Sequence, residues 1–382
     1  MTLGRRVGSE SMRPLARPRN VVVAGAVVVG LGLLGLGQLG EWPTSAAASS
    51  RIEIWHGAAQ KVGHLGNGQP DFNLMGRIED PERLLSVQYT LNESIPVELN
   101  FRKYRRLAAD GHFNADIPVT RLAPGPNRVE IEARFLDGEV ARATMTLTRL
   151  RGASPLPFRI EWAAVADPQD VGQYVDGHWR IGEHGLRPAH VGYDRLFLIG
   201  DETWRDYEVT ALVVLHEVTP DTGPVSGGNG LGVVMRFAGH VIGGPRRFPV
   251  SQPKWGYQPF GAMAWLRWQR GRPDGPAFKQ FLRGDGNDKT DHDSVTVRAG
   301  ATYRLKALCQ TLPDDAEGRG VTRYAFKFWS AAADEPTSWD WEHVQVSRDA
   351  LRHGGVALVA HHVDASFGDI TIVPIAPASP SS

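Results

Sequence analysis

Beyond residue 50 this chain is predicted to be all-β, folded as two successive sandwiches behind an N-terminal export segment. Short segments there alternate apolar and polar residues with period two, the mark of half-buried strands, and no helical stripe accompanies them. Gly, Pro, Asn and Asp punctuate the segments as they do in all-β sandwiches. A Pro-containing break, Arg151-Gly152-Ala153-Ser154-Pro155-Leu156-Pro157, divides the exported part into unequal pieces, residues 51–152 and 153–376. The Pro/Ala/Ser-rich end, residues 377–382, is expected to be disordered.

Residues 1–50 carry the export signal. Arg5, Arg6, Arg13, Arg17 and Arg19 precede an apolar run, Val21 to Gly40, whose only polar side chain is Gln38. About 20 residues suffice for a helix to cross the hydrocarbon layer, and the arginines hold its start on the cytoplasmic side. Two outcomes follow. The run exceeds the usual signal-peptide core of about 7–15 residues, which predicts an uncleaved membrane anchor. Ala46-Ala47-Ala48 supplies a small-residue cleavage site, which predicts a secreted form cut after Ala48. Either way the bulk of the chain is expected outside the cytoplasm.

The chain holds 42 basic and 42 acidic residues. Removing the first twenty takes away five arginines and one glutamate, leaving 37 against 41. A mildly acidic exported part argues against nucleic acid as a partner. The lone cysteine, Cys309, excludes an intramolecular disulfide, and its place on the apolar face of a strand predicts a buried, inert thiol.

In the first piece Leu85, Val87, Tyr89 and Leu91 form one apolar face, then Phe113, Ala115, Ile117 and Val119 another. Val129, Ile131, Ala133 and Phe135 are followed by Ala141, Ala143, Met145 and Leu147. A two-residue turn at Asp137-Gly138 would set Arg142, Thr144 and Thr146 opposite core residues, because a one-residue slip exchanges the faces. A three-residue loop is therefore predicted, with Gly138 or Glu139 left-handed. Gly76-Arg77-Ile78-Glu79-Asp80-Pro81, Gly111-His112-Phe113-Asn114 and the step from Leu122 through Gly125 and Asn127 to Val129 resemble bacterial immunoglobulin-like modules. That resemblance implies a sandwich serving as a spacer and carries no catalytic residue.

In the second piece Tyr207, Val209, Ala211, Val213 and Leu215 line one strand, and Leu231, Val233, Met235 and Phe237 another. Tyr303 to Cys309, Tyr324 to Phe328, Val356 to Ala360 and Ile370 to Val373 continue the pattern. Gly200-Asp201, Trp204-x-Asp206-Tyr207-x-Val209, Glu335-Pro336-Thr337-Ser338-Trp339, Gly354-Gly355-Val356 and Phe367-Gly368-Asp369-Ile370 resemble concanavalin A-like (laminin G-like) jelly rolls. Gly368 stands where such domains carry a second acidic residue. Jelly rolls of this kind host lectins, hydrolases and inert spacers alike.

The candidate ligand platform is Trp255, Tyr257, Trp265 and Trp268, in a loop rich in Gly and Pro that leads into a strand. In an extended segment Trp265 and Arg267 share one face and Ala264, Leu266 and Trp268 the other, so one indole enters the core while the other faces outward. The rings are either structural or a stacking surface for sugars. Asp285, Asp288, Asp291 and Asp293 are weak calcium candidates, since calcium takes oxygen ligands from flexible loops, but their spacing misses the EF-hand pattern and a solvated hairpin tip serves as well. His361 and His362, adjacent on a predicted strand, should point to opposite faces.

Non-catalytic binding of an extracellular or cell-surface glycan is the leading expectation. Resemblance to bacterial 3-keto-disaccharide hydrolases gives a second: His361 or His362 as acid/base group, with Asp364 nearby. A cleft where a histidine meets a carboxylate beside an aromatic wall would mark that alternative. The third is an adhesion module in which the aromatic loop is a protein interface.

Overall fold

The computed structural model describes residues 51–220, 226–240, 252–256, 260–284 and 289–376. Val21 to Gly40, Ala48, Tyr257, Asp285, Asp288 and the tail 377–382 lie outside the described residues. Among those described, strands dominate, the helical elements are three-residue 3-10 turns, and no helix is long and apolar enough to cross a membrane.

Residues 51–149 form two packed sheets. One holds Ile52–Ile54, Asp71–Ile78 and His112–Pro118; the other orders Ala59–Val62, Val140–Arg149, Gly125–Phe135, Leu84–Leu91 and Val97–Leu99. Alternating residues of both close one core, including Leu74, Ile117, Ile131 and Leu147. The register between Gly125–Phe135 and Val140–Arg149 pairs Ala133 with Ala141, Ile131 with Ala143 and Val129 with Met145. Phe135 N–H donates to Glu139 O at 2.9 Å and Gly138 N–H to Phe135 O at 3.0 Å, closing a three-residue loop with Gly138 at φ 88°. The hydrophobic pattern thus selects the loop length, as expected. One detail differs. A register shift between Leu84 and Ser86 buries Leu84 and leaves Leu85 61% exposed.

Residues 158–374 form a second, antiparallel two-sheet sandwich, consistent with a jelly roll. Its eight-stranded sheet runs Trp179–Gly182, Gly185–Pro188, Val363–Pro374, Tyr207–Val218, Thr302–Leu312, Gly320–Ser330 and Trp341–Ser347, with Phe158–Ile160 added to Val363–Pro374. The seven-stranded sheet runs Gln173–Asp176, Arg195–Ile199, Gly355–His361, Gly228–Phe237, Ala262–Gln269, Ala277–Arg283 and Lys289–Val295. Between them lies the main core, with Tyr207, Leu305, Phe326, Leu358 and Trp268. Cys309 is fully buried there, and burial raises its thiol pKa. Phe237 departs from the expected face. A register shift after Met235, with Arg236 at φ 52°, turns its ring to the opposite side of the sheet.

The central strands of the seven-stranded sheet are buried on both faces. Arg195–Ile199 and Gly355–His361 are buried at every position, because Leu196, Leu198, Ala357 and Val359 pack in a second cluster on the outward side. Parts of the first sandwich cover that side. The covering contact is ionic: Arg106, buried on a loop of the first sandwich, hydrogen-bonds Asp116 at 2.9 and 3.1 Å, Asp176 of the seven-stranded sheet, and Lys254 O at 2.5 Å. Asn114 Nδ2 donates to Asp176 at 3.0 Å and His240 Nε2 lies 2.7 Å from its other oxygen. Burial alone would raise the Asp176 pKa, but Arg106 and His240 hold it below the usual carboxylate range.

Beside this clamp Trp55 stacks on His178 at 5.0 Å and meets His112 edge-on at 4.9 Å, with His56 and His190 close by. Burial pushes His56 down to about 3 and His112 and His178 down to about 4, and lowers His190 too. Arg77, Arg180 and Arg195 act in the same direction and Glu53 against it.

Removing one partner of a buried ion pair strands the other. Arg106→Met is expected to cost about 3–5 kcal/mol in urea unfolding; a loss under about 1 kcal/mol would show that the clamp does not hold the sandwiches together. An unfolded histidine titrates near 6.5, so below that pH the unfolded chain takes up protons that the folded histidines refuse. Stability should therefore fall from about pH 6.5 towards 4, read as a falling urea midpoint, and His112→Gln should flatten that slope.

Candidate functional site

Where the first sandwich stops covering the seven-stranded sheet, a cavity of about 340 Å³ opens on its outward face. The floor follows from strand alternation. On Ala262–Gln269, Met263, Trp265 and Arg267 point outward, and on Ala277–Arg283, Phe278, Gln280 and Leu282 do so. Trp265 lies against Gly230 of the neighbouring strand, so closely that a Cβ there would sit 2.3 Å from the indole. Its Nε1 donates to Gln280 Oε1 at 2.8 Å, and the Arg267 guanidinium covers the ring at 4.7 Å.

One wall comes from the first sandwich. Arg105, next to the clamp residue Arg106, sets its guanidinium 4.1 Å from the Trp255 ring centre and donates to Tyr193 Oη at 2.9 Å. Among the described residues no carboxylate pairs with Arg105. Asp291 and Lys289 complete the far side.

The near end holds a hydrogen-bonded relay. His361 ends the strand Gly355–His361, Asp194 precedes Arg195–Ile199, and Ser226 precedes Gly228–Phe237. Nδ1 of His361 is 2.6 Å from Asp194 Oδ1, and its Nε2 is 2.7 Å from Ser226 Oγ. In the tautomer whose Nδ1–H donates to the Asp194 carboxylate, Nε2 carries no proton and can accept one from the hydroxyl. Burial lowers the His361 pKa, although Asp194 opposes the shift, so the ring is neutral near pH 7 and can take a proton.

The sequence-selected residues are thus partly brought together. Trp255 and Trp265 share the cavity. Trp268 borders it but is 1% exposed and belongs to the core between the sheets, which corrects its place in the platform. Tyr257 lies outside the described residues. His361 and His362 do not point apart: their rings meet edge to face at 4.6 Å, because His362, at φ 54°, is a corner between two strands. Burial pushes His362 down to about 3. Asp364 is not in the cavity; it accepts from Arg187 Nε at 2.7 Å on the eight-stranded sheet. Asp291 and Asp293 stand on an edge strand, Lys289–Val295, rather than in a loop, and Asp291 accepts from Gln280 Nε2. Asp285 and Asp288 lie outside the described residues, among which no three His, Cys, Asp or Glu side chains gather as a metal site. Asp194 and Ser226 escaped sequence reasoning, since no local motif marks either.

No family model and no curated protein matches the chain. Solved structures overlap it loosely. An endo-β-1,4-mannanase from Thermotoga petrophila is 10% identical over 26% of this chain and 20% of its own, with a TM-score of 0.21; the chain spans only that fifth of it. The VIP36 exoplasmic/lumenal domain bound to Ca2+ and Man3GlcNAc is 10% identical over 58% of this chain and 90% of its own, TM-score 0.33. A Bacillus subtilis protein of unknown function with a galectin-like fold is 13% identical over 58% and 96%, TM-score 0.31.

Gly230→Val is expected to force Trp265 off the sheet and destabilise the protein by about 1–3 kcal/mol. Thermal unfolding together with the near-ultraviolet tryptophan circular dichroism checks it; unchanged spectra would mean the indole does not rest on Gly230.

Proposed function

We propose that this is an exported glycan-recognition protein that binds a saccharide in the cavity on the outward face of the seven-stranded sheet. The observation that carries the reading is the convergence, in one cavity, of the indoles of Trp255 and Trp265 with the polar ends of Arg105, Arg267, Gln280 and Asp291. Half-buried Trp255 offers a flat surface to sugar C–H faces, Trp265, buried between Gly230 and Arg267, makes the floor, and a few fixed polar groups orient the hydroxyls. The first sandwich, which we read as immunoglobulin-like, is then more than a spacer, because Arg105 is part of the wall. Export through Val21–Gly40, retained as an anchor or cut after Ala48, would place the cavity where such glycans occur.

A catalytic version of this reading is favoured by the pairing of His361 with Asp194 beside the aromatic wall.

A glycan array with the exported part should show binding, and Trp255→Ala should weaken the best ligand by about tenfold or more in isothermal titration. No binding across a broad array, or equal affinity for both proteins, would refute the recognition reading. A blot of membrane and medium fractions decides between anchor and secreted form.

A further inference from the structure

Building on the reading that the cavity holds a saccharide, we propose that Ser226, His361 and Asp194 form a nucleophile–base–carboxylate relay that hydrolyses an ester, removing an acyl group from an O-acylated sugar. The three residues come from separate stretches of chain, 135 and 167 positions apart, and meet only through the fold. Their two hydrogen bonds, 2.7 and 2.6 Å, lead in succession from hydroxyl to imidazole to carboxylate. All three are buried against the sandwich yet border the cavity, so a substrate seated there meets Ser226 from the open side.

The chemistry at this end selects the bond. Cleaving a glycosidic bond calls for two carboxyl groups flanking it. Asp291, the cavity's other carboxylate, is held by Gln280 on the far side, and the partner that the histidine offers to the cavity is a hydroxyl, which suits acyl transfer. Ser226 Oγ attacks the ester carbonyl carbon while His361 Nε2 takes its proton. The tetrahedral adduct collapses, the C–O bond to the sugar breaks, and His361 returns the proton to the departing sugar oxygen. Water then attacks the acyl-serine, its proton passing through Nε2 to Ser226 Oγ, and a carboxylic acid leaves. No oxidant or metal enters the balance. The negative charge on the carbonyl oxygen develops beside Arg267, whose Nη2 would be 3.1 Å from a Cβ at Gly227, the residue after the nucleophile. Ser226 Oγ–H donates to Gly228 O at 2.8 Å while Oγ accepts from Gly228 N–H at 3.3 Å, so the single hydroxyl proton swings from that carbonyl to Nε2, 2.7 Å away, before it is given up.

Asp194 acts through His361 and is a positioning residue. Its left-handed backbone, φ 42°, aims the carboxylate at the ring.

The test uses the whole exported part with a fluorophosphonate probe, p-nitrophenyl acetate, and acetylated against deacetylated xylan. The wild type should be labelled at Ser226, located by mass spectrometry, and should hydrolyse p-nitrophenyl acetate at least about 10³-fold faster than Ser226→Ala. Asp194→Asn should move the acid limb of the pH–rate profile to lower pH, because the carboxylate that supports the imidazolium is gone; a merely structural Asp194 would leave the limb in place. Folded wild type that is neither labelled at Ser226 nor faster than Ser226→Ala overturns the relay. If xylan still binds in that case, recognition stands without hydrolysis. Labelling and turnover without affinity for either xylan would instead support the relay and count against the saccharide reading.

Discussion

A single buried guanidinium organises this molecule. Arg106 is placed between Asp116 of its own sandwich and Asp176 of the other, and neither carboxylate reaches water. Moving such charges out of water is costly, and only nearly complete hydrogen bonding offsets the cost. That requirement is met here by partners from three directions: Asn114 and His240 on Asp176, Lys254 N–H on Asp116 at 2.6 Å, and the carbonyls of Lys254 and Val175 on Arg106. A second buried arginine, Arg195, donates to the Arg106 carbonyl at 3.0 Å and balances the two acids. Trp55 and Met75 of the first sandwich also join the core of the second, so the two cannot slide without uncovering this set.

The cavity follows from that docking. A sheet buried on its inner face would ordinarily turn a polar face to solvent, whereas this one carries Leu196, Leu198, Val359 and Met263 outward. Much of that apolar surface is closed by the first sandwich and the segment around Lys254. What stays open is lined where polar groups interrupt the apolar cluster, at Asp194, Ser226, Arg267, Gln280 and His361. By contrast Asp364, though close in sequence to His361, crosses into the other sheet, and its salt bridge with Arg187 belongs to a different surface.

Sequence periodicity reads those parts of the structure that are governed by which face a side chain takes. The loop around Gly138, the inward Trp268 against the outward Trp265, and the buried thiol of Cys309 all follow from an alternation of two. It fails where the backbone breaks the alternation: at Leu84–Ser86, at Arg236 and at His362, each a shift or a positive φ that no residue pattern announces. The site was legible only in halves. His361 and the tryptophans could be singled out, but their partners Asp194, Ser226 and Arg105 arrive over long sequence separations, and nothing local distinguishes Ser226 from the small residues around it. The acidic stretch after Gly284 read as a hairpin tip, yet Asp291 and Asp293 continue into a strand that pairs with Ala277–Arg283.

The peptide unit joining Arg105 to Arg106 links two duties. One side chain anchors a structural joint and the next leans on an indole at the mouth of the cavity. Because Arg105 belongs to the wall, the width of the aperture depends on how tightly two globules dock. An occupant braced against Arg105 would also steady the joint, and by thermodynamic reciprocity anything that loosens the joint lowers the affinity for that occupant.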